Sequence, residues 1–193
     1  AAFSGVVTAN AGVVVDNITI DGTEIDLSSG SLTIDSAGSI ILDAVDSITT
    51  PTAGTSNVKL GVNAGNSIQS GGNYNVAVGD EAGTAITTGD ANTFVGFEAG
   101  KTISTASENT AFGYQALKAN TSGDGNTAIG VKAMDANTVG DRNVAVGSDA
   151  LGAMNPGSNA DMYNVAVGYG AGAAVTTGTN NTFVGGLAGD ATD

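Results

Sequence analysis

The chain contains no cysteine and no histidine. Those two absences remove the commonest general bases, the thiolate nucleophiles and the usual zinc ligands. No disulfide framework is available either. Tryptophan is absent, proline occurs twice, and aromatic residues make up 5% of the chain. A conventional core of large side chains is hard to assemble from that supply. Charged residues reach only 12%, about half the usual share. Five are basic (Lys59, Lys101, Lys118, Lys132 and Arg142) against 19 acidic, so the 193 residues carry a formal net charge of −14. Such a balance repels DNA and an anionic membrane, and it keeps an elongated assembly soluble. No apolar run reaches the length of a membrane span. The opening Ala1-Ala2-Phe3 lacks the basic and apolar regions of a signal peptide. The expectation is a chain with no nucleic-acid partner, no membrane insertion, no cofactor and no enzymatic activity.

What the chain does have is glycine, 30 residues of it, and a 41% apolar fraction rich in β-branched side chains. That composition argues against disorder and suits a thin, regular β-structure. A nine-residue motif recurs eight times, opening at Asn57, Asn75, Asn92, Asn109, Asn126, Asn143, Asn164 and Asn181. Successive copies are 18, 17, 17, 17, 17, 21 and 17 residues apart. The pattern is Asn, then Thr or Val, any residue, a large apolar residue, Gly, two variable residues, Ala, and a ninth residue. A period this regular predicts a solenoid with one coil per copy. The Gly at position 5 is present in all eight copies: Gly61, Gly79, Gly96, Gly113, Gly130, Gly147, Gly168 and Gly185. It predicts a positive φ or a close backbone approach at a corner. The Ala at position 8, also in every copy, predicts a second tight corner. The Asn residues are expected to stack along the rod at the ordinary strand spacing and to bond along the pile.

Positions 2 and 4, from Val58 and Leu60 to Thr182 and Val184, are apolar or β-branched throughout. They share one strand face, which is expected to line the inside of the coil. Position 3 (Lys59, Ala77, Phe94, Ala111, Ala128, Ala145, Ala166, Phe183) then faces outward. Its small, mostly uncharged residues suggest cover by a neighbouring chain.

A shorter repeat precedes these copies. Ile18 and Ile20, Ile25 and Leu27, Leu32 and Ile34, and Ile40 and Leu42 are alternating pairs separated by Gly22, Gly30 and Gly38. Glycine at that spacing disfavours a heptad helix, and alternation favours short strands. Strands this short need partners from other chains. The domain reading is a β-rich trimeric stem over 1–46, a small, polar linker over 47–56, and the repeat domain over 57–193.

Candidate chemistry is sparse. Glu81 and Glu98 fall at equivalent places in adjacent coils, and a solvated corner is preferred there over a catalytic carboxylate pair. Asp16, Asp21, Asp26, Asp35 and Asp43 follow the short strands, where solvation of strand ends outweighs cation binding. Thr at position 2 exchanges with Val, which suits burial better than an ice-binding array. Tyr74, Tyr114, Tyr163 and Tyr169 flank the motifs, and packing over corners is preferred to sugar stacking. The one irregularity is the insertion Asn155-Pro156-Gly157-Ser158-Asn159-Ala160-Asp161-Met162-Tyr163. It is expected to project from one edge. Within it Asn155, Pro156, Asn159, Asp161 and Tyr163 form the candidate contact loop.

Two resemblances attach to these residues. Asn126-Thr-Ala-Ile-Gly130, Asn143-Val-Ala-Val-Gly147 and Asn164-Val-Ala-Val-Gly168 resemble the head repeats of trimeric autotransporter adhesins. That likeness implies a left-handed parallel β-roll, three rolls per trimer, displayed for attachment. Asn17 through Gly30, with Leu32 to Asp35 and Ile40 to Asp43, resembles low-complexity regions of phage tail-fibre and other virion fibre proteins. The fold class expected is all-β. It is an elongated homotrimeric fibre whose short intertwined β-prism or triple β-helix stem leads into a parallel β-solenoid of eight coils. The function expected is a structural and adhesive segment of a virus particle that reaches toward the host cell. Its partners are other fibre or tail subunits and a host surface glycan or protein. The alternative is the head of a bacterial trimeric surface adhesin.

Overall fold

The computed structural model describes residues 54–190. The expected stem, most of the linker and the five N-terminal aspartates therefore lie outside the described residues. Within them are ten short strands and no helix. β1 (Val58–Leu60), β2 (Val76–Val78), β3 (Thr93–Val95), β4 (Thr110–Phe112) and β5 (Thr127–Ile129) come first. They are followed by β6 (Gly140–Asp141), β7 (Val144–Val146), β8 (Ala160–Asp161), β9 (Val165–Val167) and β10 (Thr182–Val184). The eight three-residue strands make one sheet in the order β1-β2-β3-β4-β5-β7-β9-β10, and β6 pairs with β8. Every pairing is parallel and position-matched, with Val58 opposite Val76, Thr93 opposite Thr110 and Thr127 opposite Val144. The result is the parallel β-solenoid that the repeat predicted, with about seven turns where eight coils were expected.

The two strand faces are the reverse of the sequence expectation. Position 3 is the inward one: Ala77, Phe94, Ala111, Ala128, Ala145 and Ala166 are fully buried. Positions 2 and 4 face outward, with Leu60 67%, Phe112 56% and Val184 71% exposed. The physical reason is the size of the coil. A ring of about 17 residues encloses little space, so its inner strand column takes alanine and the large β-branched side chains go outside.

The remaining interior is filled from the corners. The position-8 alanines Ala82, Ala99, Ala116, Ala133, Ala150 and Ala171 are fully buried, as expected of a tight corner. Position 9 adjusts the volume coil by coil. Where position 3 is Ala111, Ala128 or Ala145, position 9 is Leu117, Met134 or Leu151, each buried. Where position 3 is Phe94, glycine is required in two coils. A Cβ on Gly83 would sit 2.9 Å from the Phe94 ring, and one on Gly100 would sit 2.7 Å from it. Phe183 stands in the same relation to Gly172 and Gly189. Small and large residues are therefore matched across coils, as close packing of an interior demands.

Glycine at position 5 meets both of its predicted demands. Its φ lies between 125° and 138° in all eight copies, and a Cβ on Gly61 would fall 2.6 Å from the Gly79 carbonyl. Three further positions adopt the left-handed conformation with ordinary side chains. They are the residue before each Asn, position 7 and position 9, as at Tyr74 (φ 58°), Glu81 (φ 58°) and Leu117 (φ 53°). Each such residue costs about 1 kcal/mol or more, offset here by a hydrogen bond to the adjoining coil. Leu117 N–H, for example, donates to the Ala133 carbonyl over 2.9 Å.

Two side-chain ladders lock the coils together. In the first, each Asn backbone N–H donates to the side-chain oxygen of the Asn one coil earlier. All seven steps are made, from Asn75 on Asn57 (2.8 Å) to Asn181 on Asn164 (3.0 Å). The side-chain amide spans the coil as well: Asn92 Nδ2 reaches both Asn75 Oδ1 (3.0 Å) and the Ala106 carbonyl (2.9 Å). The second ladder sits two residues before each Asn and runs the opposite way. Thr55 N–H donates to Asn73 Oδ1, Asn73 N–H to Asp90 Oδ1 and Asp90 N–H to Ser107 Oγ. It continues from Ser107 N–H to Asp124 Oδ1 and from Asp124 N–H to Asp141 Oδ1. Among the described residues, no buried side-chain nitrogen or oxygen is left without a partner. In a core this thin, one orphan would cost about 1–3 kcal/mol.

Candidate functional site: an apolar outer face, a charged corner and a broken repeat

The outward columns at positions 2 and 4 contain Val, Thr, Leu, Ile and one Phe, and no charged residue. Position 6 extends the same strip with Val62, Phe97, Tyr114, Val131 and Tyr169, each more than 40% exposed, and interrupts it with Asp80, Ser148 and Gly186 in the other three coils. Phe97 and Tyr114, in adjacent coils, stack at 5.5 Å between ring centroids. At about 4.8 Å per strand and about 3.3 Å per residue, the strip measures roughly 38 by 13 Å, roughly 500 Å². That size lies within the range of the largest apolar patch on an ordinary monomer, a patch that is often functional. Strand alternation creates the strip. The left-handed position 7 then turns the chain away and itself carries charge at Glu81, Glu98, Lys132 and Asp149.

At that corner Glu81 and Glu98, at equivalent places in adjacent coils, share a cation. Lys101 Nζ pairs with Glu81 and with Glu98 Oε1 (2.6 Å), and Lys118 Nζ pairs with Glu98 Oε2 (2.6 Å). Gln115 Nε2 donates to the same Oε2 at 2.7 Å. Glu98 is buried, contrary to the solvated corner expected, because Gln115 and the lysine stems close over it. The arrangement does not leave two carboxylates free to face one groove. Hydrogen bonds from Lys101, then Lys118 and Gln115, hold the Glu98 carboxyl down at about 2 from its ordinary 4.5. The Lys101 ammonium is pushed upward, chiefly by its bond to Glu81. Asp135, in the next stretch of this corner, is pushed upward by burial and by Asp149, against the pull of Lys132.

The Glu98 shift fixes a pH dependence. A carboxyl with a depressed folded-state value stabilises above its unfolded value, and the contribution fades as pH falls through the folded one. Wild type is therefore expected to exceed Glu98→Gln in thermal midpoint at pH 7. The gap should begin to close below about pH 4.5 and be gone near pH 2. Circular-dichroism melts of the two proteins across that range check it. A gap that widens toward acid would refute the assignment.

The insertion lies flatter than the projecting loop expected. Its residues Ala160–Asp161 add β8 beside β6, a short second ladder absent from the other coils. Asn155 Oδ1 accepts from Thr138 Oγ1 at 2.8 Å. Pro156 stands against Gly140, where a Cβ would meet its ring at 3.2 Å. Asn159 Nδ2 reaches the Ser122 carbonyl, 37 residues earlier, at 3.5 Å. Met162 is buried beneath. On the outer side Arg142 pairs with Asp161 Oδ1, and Tyr163 Oη donates to Asp161 Oδ2 at 3.0 Å. Of the expected contact residues, Asn155, Asn159, Asp161 and Tyr163 are exposed, and Pro156 is half-buried.

The four tyrosines separate by role. Tyr74 and Tyr163 occupy the left-handed position before Asn, whereas Tyr114 and Tyr169 belong to the apolar strip. The periodic Asn and Gly residues serve the ladder and the corner. The second ladder was missed because its residues share acceptor oxygens but not an identity; a search by chemical class two residues before each Asn would have found it. Comparison of the chain with protein-family models, curated proteins and solved structures returned no match.

Proposed function

We propose that this chain is a structural and adhesive segment of a homotrimeric fibre on a virus particle, of the phage tail-fibre kind. The solenoid supplies reach and stiffness toward the host surface, and other fibre or tail subunits adjoin it. The observation that carries this reading is the pair of uncharged outer columns at positions 2 and 4, extended at position 6 by five exposed apolar residues and broken there by Asp80, on a chain of net charge −14. Copies of this chain present identical strips with matched levels every coil, so like faces can close against one another and leave most of the acids, though not Asp80, outside. The covered surface is thus the large-residue strip and not the alanine column first expected to be outside. Three as the number of copies rests on the resemblance to trimeric adhesin heads. The repeats that carry that resemblance also support the second reading, a bacterial surface adhesin head. A C-terminal outer-membrane anchor in the full reading frame would select the second; neighbouring tail genes would select the first.

Sedimentation equilibrium tests the assembly directly. The expected mass is three times the 18.6 kDa of the chain, with a high frictional ratio in velocity runs. A single-chain mass at micromolar concentration would sink the proposal.

A further inference from the structure

We propose that the ledge built by the insertion, with Tyr163, Asp161 and Arg142 on its outer side, is a binding subsite for a neutral glycan. The inference rests on the fibre reading above and names the ligand class its host contact would take.

The ledge is a constructed feature. The other coils turn this corner without it. Here an extra strand, β8, is paired, the loop is pinned at Ser122 and Thr138, and Met162 anchors it from below. The pinned backbone presents a half-exposed tyrosine ring whose hydroxyl is held by Asp161. The same carboxylate is oriented by Arg142, the only arginine in the chain. An aromatic ring fixed beside planar polar groups matches a sugar. The ring packs on the C–H face, and carboxylate, guanidinium and amide groups pair with neighbouring hydroxyls. Fixing these groups beforehand lowers the ordering cost of a weak, polar ligand.

Charge and size narrow the class. The lone cation is already paired, and Asp124, Asp141 and Asp161 stand along the same edge, so a sialylated or uronic-acid glycan would be repelled. A protein receptor requires about 800 Å² per partner with an apolar centre. This ledge offers one aromatic residue among short polar ones.

The experiment uses the full chain, immobilised and exposed to neutral oligomers of N-acetylglucosamine, galactose and mannose, with sialylated and uronic-acid oligomers beside them. At least one neutral oligomer is expected to bind, with affinity falling tenfold or more in Tyr163→Ala and largely restored in Tyr163→Phe. Tyr74→Ala, the same left-handed position in a coil without the insertion, is expected to bind as wild type. Binding of acidic oligomers alone, binding of none, or equal loss in Tyr163→Ala and Tyr74→Ala would each overturn the subsite. So would capture of a host protein without any sugar binding. Sedimentation of the same variants keeps the two proposals apart. A trimer that binds no neutral sugar fails only the subsite, and a monomer that binds one fails only the fibre.

Discussion

Ala128→Asp is expected to abolish the folded state, while Ile129→Asp, one residue along, leaves the chain folded. Ala128 is fully buried in the inner column between Ala111 and Ala145. A carboxylate there has neither room nor a cationic partner, and both burial of the charge and overpacking oppose it. The cost is at least about 4 kcal/mol, a large part of what a domain of this size has to lose. Ile129 is 39% exposed, so the same side chain costs about 1 kcal/mol within one protomer, mostly lost strand preference. In the proposed assembly, however, it would place like charges on facing strips. Far-UV circular dichroism should therefore show no β signal for Ala128→Asp and a wild-type signal for Ile129→Asp. Sedimentation should find Ile129→Asp reduced to single chains. Unfolding of Ile129→Asp with Ala128→Asp still folded would mean that the inner and outer faces are exchanged, and equal unfolding would refute the inward and outward assignment.

The second large effect belongs to the asparagine ladder. Asn92→Ala is expected to cost about 2–5 kcal/mol, because it orphans two buried backbone groups at about 1–3 kcal/mol each. They are the Asn109 N–H, which donates to Asn92 Oδ1, and the Ala106 carbonyl, which accepts from Asn92 Nδ2. Asn181→Ala should cost about 1 kcal/mol. Among the described residues Asn181 donates to Asn164 and no coil is stacked on its far side. Urea titration with a common slope separates the two variants. An Asn92→Ala midpoint no lower than that of Asn181→Ala would show that the pile is decorative.

These two tests address different degrees of legibility. The register of all eight strands, the asparagine pile, the glycine corner and the buried position-8 alanine could be read from periodicity, because each places one residue type at one phase. Inside and outside could not be read the same way. The rule that large apolar residues go inward presumes a core wide enough to hold them, and coil width is not a local property of the sequence. Phe94 shows the point: it enters the column only where Gly83 and Gly100 vacate two corners. The left-handed residues at Glu81, Leu117 and Tyr74 were also hidden, since such side chains rarely signal that conformation. At the candidate site, the insertion was visible as a break in the period. Its pairing as β8 with β6 was not, because two residues carry no pattern.

The matched pair of Phe94 with its two glycines bears on how such a rod changes length. Tandem genes grow and shrink by unequal crossing-over, which copies or deletes whole periods. The coils opening at Asn109 and Asn126 combine an inner alanine with a large ninth residue, and each already sits beside a coil of its own kind. Either can be duplicated singly without new collisions. A break between the coils opening at Asn75 and Asn92 would part Phe94 from the gap at Gly83 and drive its ring into whatever ninth side chain arrived there. Lineages of this rod should therefore vary in the number of middle coils and inherit the phenylalanine-bearing coils as joined pairs.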